Sequence, residues 1–171
     1  MQWLRPLRLL HPMRHERSLK ARAVDFLSRR EHSRLELQRK LARYADDPNE
    51  VEVVLSDLER QGLLSNDRFA RSLVHRRAGK LGTSRIVQEL RQHGVSAEQV
   101  AELRGNLQES EVSRAQAVWQ KRYGRAPADA ADRARQMRFL AARGFGNDTI
   151  RKVMSGAGEE STDEFDPFPD D

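Results

Sequence analysis

Three leucines, Leu41, Leu90 and Leu140, lie 49 and 50 residues apart, and each is followed by the same pattern of neighbours. Ten residues on stands a β-branched residue: Val51, Val100 or Ile150. Three further on is another aliphatic: Val54, Leu103 or Val153. Four residues after each leucine come Ala45, Gly94 and Gly144, where a helix needs its C-terminal stop. A second register precedes the first: Ala23-x-x-Phe26-Leu27, Ala70-x-x-Leu73-Val74 and Ala115-x-x-Val118-Trp119. From that block to the leucine the distance grows from 14 to 16 to 21 residues. A loop of variable length between two fixed helices accounts for that drift. Self-similarity at a fixed period marks a repeat architecture, in which each unit buries its apolar face against its neighbours.

Each unit reads as three helices. In the first, Leu19, Ala23, Phe26 and Leu27 form one apolar stripe at helical spacing. Ser33-x-x-Glu36 is a capping box that starts the second helix, whose buried edge is Leu37 and Leu41. Asp47-Pro48-Asn49-Glu50 starts the third with a cap, a proline at the first helical position and an early acid. Val51, Val54, Leu55 and Leu58 repeat at i, i+3, i+4 and i+7, and Gly62 ends the run. The second unit places Phe69, Leu73 and Val74 on a helix capped by Ser65. Gly79 and Gly82 then bracket a basic loop, Ile86, Val87 and Leu90 form the next helix, and Ser96-x-x-Gln99 caps a short third one. The third unit has Gly124-x-x-Pro127 as its loop. No alternating strand pattern is evident. The expected fold is all-α: three tandem three-helix repeats forming an elongated, curved body.

The expected organisation is an N-terminal arm at 1–17, repeats at 18–64, 65–108 and 109–155, and a disordered acidic tail at 156–171. In the arm, Trp3, Leu4, Leu7, Leu9 and Leu10 are interrupted by Arg5 and Arg8 and followed by His11-Pro12, unlike a signal peptide. No apolar run approaches the roughly 20 residues needed to span a bilayer. Aromatics are only 6% of the chain, which suits small packed units rather than one large core.

Chemistry narrows the function further. The absence of cysteine removes disulfides, thiol nucleophiles and thiolate metal sites, and is compatible with a cytoplasmic protein. Of the five histidines, only His11 and His15 have ligand-like spacing, and Pro12 lies between them. His32 and His93 sit at helix junctions, where capping is the expected role. Gly79-Lys80-Leu81-Gly82-Thr83 lacks the spacing of a phosphate loop, and no carboxylate pair stands out. The expectation is a protein that is not an enzyme, with no cofactor, no metal, no membrane partner and no small-molecule substrate.

The charge is uneven. Residues 159–171 carry seven acids (Glu159, Glu160, Asp163, Glu164, Asp166, Asp170 and Asp171) and no base. Setting them aside leaves 31 Lys and Arg against 19 acids, so the body carries +12. A basic body with an acidic tail suits a polyanion or an acidic protein face. The bases recur in clusters. Arg29 and Arg30 end the first helix, with Arg34, Arg39, Lys40 and Arg43 on the second. Arg76 and Arg77 end the fourth, followed by Lys80, Arg85 and Arg91; Arg133, Arg135, Arg138 and Arg143 line the eighth. Solvated faces and favourable helix ends account for about half of them. They do not account for the recurrence in all three units.

Four blocks resemble one known family in its order. Leu27-Ser-Arg-Arg-Glu-His-Ser-Arg-Leu-Glu-Leu37 with Lys40-Leu41 is similar to the opening signature of the RecX family of RecA regulators. Leu58-Glu-Arg-Gln-Gly-Leu-Leu-Ser-Asn-Asp-Arg-Phe-Ala70 resembles the next block. Gly82-Thr-Ser-Arg-Ile86 with Glu89-Leu90 and Gly94-Val95 resembles the central block, with Ser84 where the family often has a second base. Arg138-Phe-Leu-Ala-Ala-Arg-Gly-Phe145 with Ile150 resembles the last. The resemblance spans roughly residues 18–155. It implies three tandem three-helix repeats and a protein that binds RecA within the groove of its filament on DNA, restraining filament growth and strand exchange. The expected state is a monomer, and the +12 body suits weak, salt-dependent direct DNA binding. Candidate contacts are Arg29, Arg30, Arg34, Arg39, Lys40, Arg76, Arg77, Lys80, Arg85, Arg91, Arg135, Arg138 and Arg143. The competing class is a stand-alone helical nucleic-acid-binding protein such as a transcription factor, for which Arg85, Gln88, Arg91 and Gln92 offer a base-reading face.

Overall fold

The computed structural model describes residues 18–159, with side chains through Gly156. The 1–17 arm and most of the acidic tail lie outside the described residues. Nine helices and no strand occur among those residues. They are α1 Leu19–Arg29, α2 Arg34–Leu41, α3 Pro48–Arg60, α4 Asn66–Ala78, α5 Thr83–Gln92, α6 Ala97–Glu109, α7 Glu111–Arg122, α8 Ala130–Ala142 and α9 Asn147–Glu159. The last helix continues past Ser155, where the sequence pattern ends the third unit.

The caps explain where most helices begin. Ser33, Asp47, Ser65 and Ser96 each accept a hydrogen bond from a backbone N–H in the first turn of α2, α3, α4 and α6. Ser18 and Asp129 do the same for α1 and α8. Such a cap contributes about 1 kcal/mol. The capping box at Ser33 forms by one half only. Glu36 does not reach back to the Ser33 N–H; its carboxylate is drawn to Arg30 instead. No side-chain cap serves α5 or α7 from its own N-cap residue.

Three apolar cores follow one another along the chain. Ala23, Leu37, Leu41, Val51, Leu55, Leu58 and Leu64 make the first. Phe69, Leu73, Ile86 and Leu90, with residues of α6, make the second. Ala115, Trp119, Leu140, Ile150, Val153 and Met154 belong to the third. The register leucines Leu41, Leu90 and Leu140 are all fully buried, as are the register alanines Ala23, Ala70 and Ala115. Burying one leucine contributes about 1.5–3 kcal/mol.

Three details depart from the sequence reading. Gly94 and Gly144 stop α5 and α8 with φ of 74° and 83°, but Ala45 has no such role. The first unit's middle helix already ends at Leu41, where a turn from Tyr44 N–H to Leu41 C=O takes over. An alanine avoids the left-handed region that glycine enters freely, so the chain closes that helix earlier. Arg43 therefore lies beyond α2 rather than on it. Helix α6, read as short, has 13 residues.

Candidate interaction surface

The units meet at two junctions that use the same hydrogen bond. The N–H of Arg34, first residue of α2, is taken by Asn66 Oδ1 at 2.8 Å, and Asn66 is the first residue of α4. The N–H of Thr83, first residue of α5, is taken by Glu111 Oε1 at 2.8 Å, and Glu111 is the first residue of α7. Each unit's opening side chain thus caps the middle helix of the unit before it. That supplies the cap α5 lacks from its own N-cap residue.

Around that shared bond the junctions differ. At the first, Arg68 Nε meets Glu31 Oε1 at 2.8 Å near the surface, and Gly94 packs on the Leu35 side chain. At the second, Glu111 is buried and also accepts from the Thr149 hydroxyl at 2.9 Å. Burial pushes its carboxyl up, but hydrogen bonds from Thr83, Thr149 and Gly146 outweigh that and hold it below the usual range. Arg114 donates to the carbonyls of Ala78, Leu81 and Leu107 and to the Thr83 hydroxyl. Gly82 N–H bonds the Arg143 carbonyl at 2.9 Å, and a Cβ on Gly82 would stand 2.2 Å from Gly144 backbone atoms.

Sequence reasoning singled out neither Glu111 nor Arg114. The signal was available in the repeat register. Aligning Ala70 with Ala115 places Glu111 opposite Asn66 and Arg114 opposite buried Phe69. An arginine where the preceding repeat buries a phenylalanine marks a position with polar partners.

The thirteen basic candidates divide by partner. Arg34 spans α2 to α3, pairing with Glu52 and Glu59. Arg30 forks onto Glu36, and Lys40 lies 3.5 Å from the same carboxylate. Burial pushes that carboxyl up, yet the Arg30 hydrogen bond and the neighbouring positive charges outweigh it and hold Glu36 at about 2. His32 is buried with its Nδ1 3.0 Å from Glu36 Oε1. Burial chiefly lowers its pKa, and its buried Nδ1 makes no hydrogen bond to a helix end, so this ring does not take the expected capping role. Arg29 pairs with Asp25, Arg77 with Glu89 and Arg135 with Asp132. Arg143 stacks on the ring of Phe139 in α8, 3.6 Å from its centroid. Among the described residues, Arg76 bonds only the Ser72 hydroxyl.

Arg39, Lys80, Arg85, Arg91 and Arg138 are exposed and have no acidic partner among the described residues. Glu89, a possible i+4 partner of Arg85, is engaged by Arg77 instead. Arg85, Gln88, Arg91 and Gln92 are all exposed on α5, and Arg104 of α6 lines a hollow beside Arg91. Between the first two units lies a groove of about 530 Å³, lined by Arg30, Arg76, Arg77 and Lys80, by the acid Glu36, and by Phe69, Leu73 and His93. No helix among the described residues is long and apolar enough to cross a membrane.

Family models match all three units in order: "RecX, first three-helix domain" over residues 20–58, the second over 65–103 and the third over 109–154. The chain belongs to the RecX family. A "Regulatory protein RecX" from Ralstonia pickettii is 51% identical over 142 residues, covering 83% of this chain and 89% of the relative. One from Leptothrix cholodnii is 48% identical, covering 86% and 94%. The crystal structure of RecX from Lactobacillus salivarius aligns with a TM-score of 0.71 at 18% identity, covering 82% of this chain and 95% of that one. At that identity the likeness shows the RecX fold, nine helices in three three-helix domains. The relatives are regulatory proteins by name, and the RecX assignment covers both junctions described above.

Proposed function

We propose that this chain binds RecA and its filament on DNA and restrains RecA ATPase, filament growth and strand exchange, acting as a cytoplasmic, monomeric regulator rather than an enzyme. The observation that carries this reading is the match of all three repeats, in order, to the RecX family. The physical support is a series of small units that presents a long face to a polymer. Exposed bases without acidic partners among the described residues recur in every unit: Arg39 in the first, Lys80, Arg85 and Arg91 in the second, Arg138 in the third. Those five are the contacts we favour. Arg34 and Arg77 are tied into links between helices and contribute less.

The test is RecA ATPase on single-stranded DNA, titrated with this protein. Substoichiometric protein slows the reaction if the reading holds. Unchanged activity at severalfold excess of folded protein rejects it.

A second reading, direct DNA binding, has one observation in its favour: Arg85, Gln88, Arg91 and Gln92 on α5 are all exposed. On this reading binding is weak and salt-dependent, each neutralised phosphate contributing about −0.9 to the slope of log K against log salt on duplex. Tight, sequence-selective binding at high salt would instead make the chain a base-reading protein.

A further inference from the structure

The groove between the first and second units has a composition that the family assignment does not explain. Its floor is apolar: Phe69 and Leu73 are almost fully buried beneath it. His93 packs against the Phe69 ring with centroids 5.0 Å apart and forms part of the wall. Four cations and one acid, Glu36, stand around the rim. Arg30 comes from the first unit, and Arg76, Arg77 and Lys80 from the end of α4 and the loop after it.

These cations are not equivalent. Arg30 is oriented by Glu36 and Arg77 by Glu89, so those two charges are balanced while the guanidinium groups stay fixed. Arg76 is positioned by the Ser72 hydroxyl at 2.7 Å, and Lys80 has no partner among the described residues. The groove therefore carries two unmatched positive charges beside Arg77, which Glu89 engages through Nε alone, while both terminal nitrogens of Arg30 are spent on Glu36. Arginine forks match phosphate oxygens in a bidentate geometry, and lysine adds a point charge. At about 530 Å³ the space falls within the range of small-ligand sites, far larger than one inorganic anion needs.

The second junction supplies an internal control. There Arg114 occupies the register position of Phe69, and its guanidinium is consumed by carbonyls of Ala78, Leu81 and Leu107. The first junction keeps an apolar floor and leaves Arg76 and Lys80 without an acidic partner among the described residues.

We propose that this groove binds a nucleoside phosphate, with the phosphates on Arg76, Lys80 and Arg77 and the sugar or base over the Phe69, Leu73 and His93 wall. The same chemistry comes from two sources, a free nucleotide or one residue of a single strand.

The experiment titrates the full-length protein, without RecA, with ADP, hexathymidylate and hexaglutamate at low salt, by calorimetry. Its outcome is thus separable from the RecA reading. The double variant R76A/K80A is compared with K121A/K152A, which removes two exposed cations of the third unit that lie outside both the groove and the favoured contacts. We expect phosphate binding to weaken about tenfold or more in R76A/K80A and little in K121A/K152A. Binding of ADP with this dependence assigns the free nucleotide; binding of hexathymidylate alone assigns the strand. Equal weakening in both doubles, equal binding of hexaglutamate, or no phosphate binding overturns the proposal. Should R76A/K80A lose its helical circular dichroism, K80A alone, in an exposed loop, carries the same test.

Discussion

The two junctions share a plan and differ in finish. In each, the first side chain of one unit caps the middle helix of the unit before it at 2.8 Å. At the first junction that side chain is a neutral Asn66, supported by an ion pair near the surface and bordered by an open basic groove. At the second it is buried Glu111, with Arg114 and two backbone hydrogen bonds from the α5 start to the Arg143 and Gly144 carbonyls. A repeat thus keeps its geometry through one backbone bond and varies the number of contacts through the side chains around it. The second junction is closed by buried polar contacts. The first leaves an open basic groove beside it.

The largest test of that contrast is Gly82→Ala. Its φ of −74° suits any residue, so the effect is steric alone. The new methyl meets backbone at 2.2 Å, which no rotamer change relieves. We expect a loss of about 3 kcal/mol or more in urea unfolding. Gly79→Ala, three residues earlier with open space around it, should be neutral or stabilising by up to about 1 kcal/mol. Equal behaviour of the two variants removes the distinction.

Glu111→Ala comes next, at about 2–3 kcal/mol, because it leaves the Thr83 N–H and part-buried Arg114 without their acceptor or counter-charge. The pH dependence sharpens this. The folded carboxyl lies below its ordinary value of 4.5, so its contribution is fully present above that value and is lost as pH falls through the folded pKa. The stability difference between wild type and Glu111→Gln should therefore shrink on acidification. Asn66 does not titrate, so Asn66→Ala should cost the same at both ends of that range, measured by urea unfolding.

Arg68→Ala removes only the exposed pair with Glu31 and a bond to the Leu63 carbonyl. We expect less than about 1 kcal/mol. A larger loss would place the first junction on a par with the second. Smallest of all for stability is Arg85→Ala, which has no ionic partner to lose: unfolding should move by no more than about 0.5 kcal/mol, while inhibition of RecA ATPase weakens. Equal inhibition by mutant and wild type removes Arg85 from the contact surface.

The repeats, the helix count and most of the caps were legible in the chain's own pattern, because those signals are local. A leucine recurring at 49 and 50 residues, or a serine followed by an acid three residues on, is read within one or two turns of helix. The same logic failed at Ala45 because spacing does not say whether a residue without glycine's freedom closes the helix early. Which bases are free and which are spent was settled by packing alone. Arg34 and Arg39 read alike along the chain, yet one lies against two acids of α3 and the other faces solvent. Packing also made Glu111 and Arg114 a clamp, brought Gly82 against Gly144, and opened a groove over Phe69. Those outcomes depend on where one unit sits against the next, a distance between residues far apart in sequence that no local periodicity encodes.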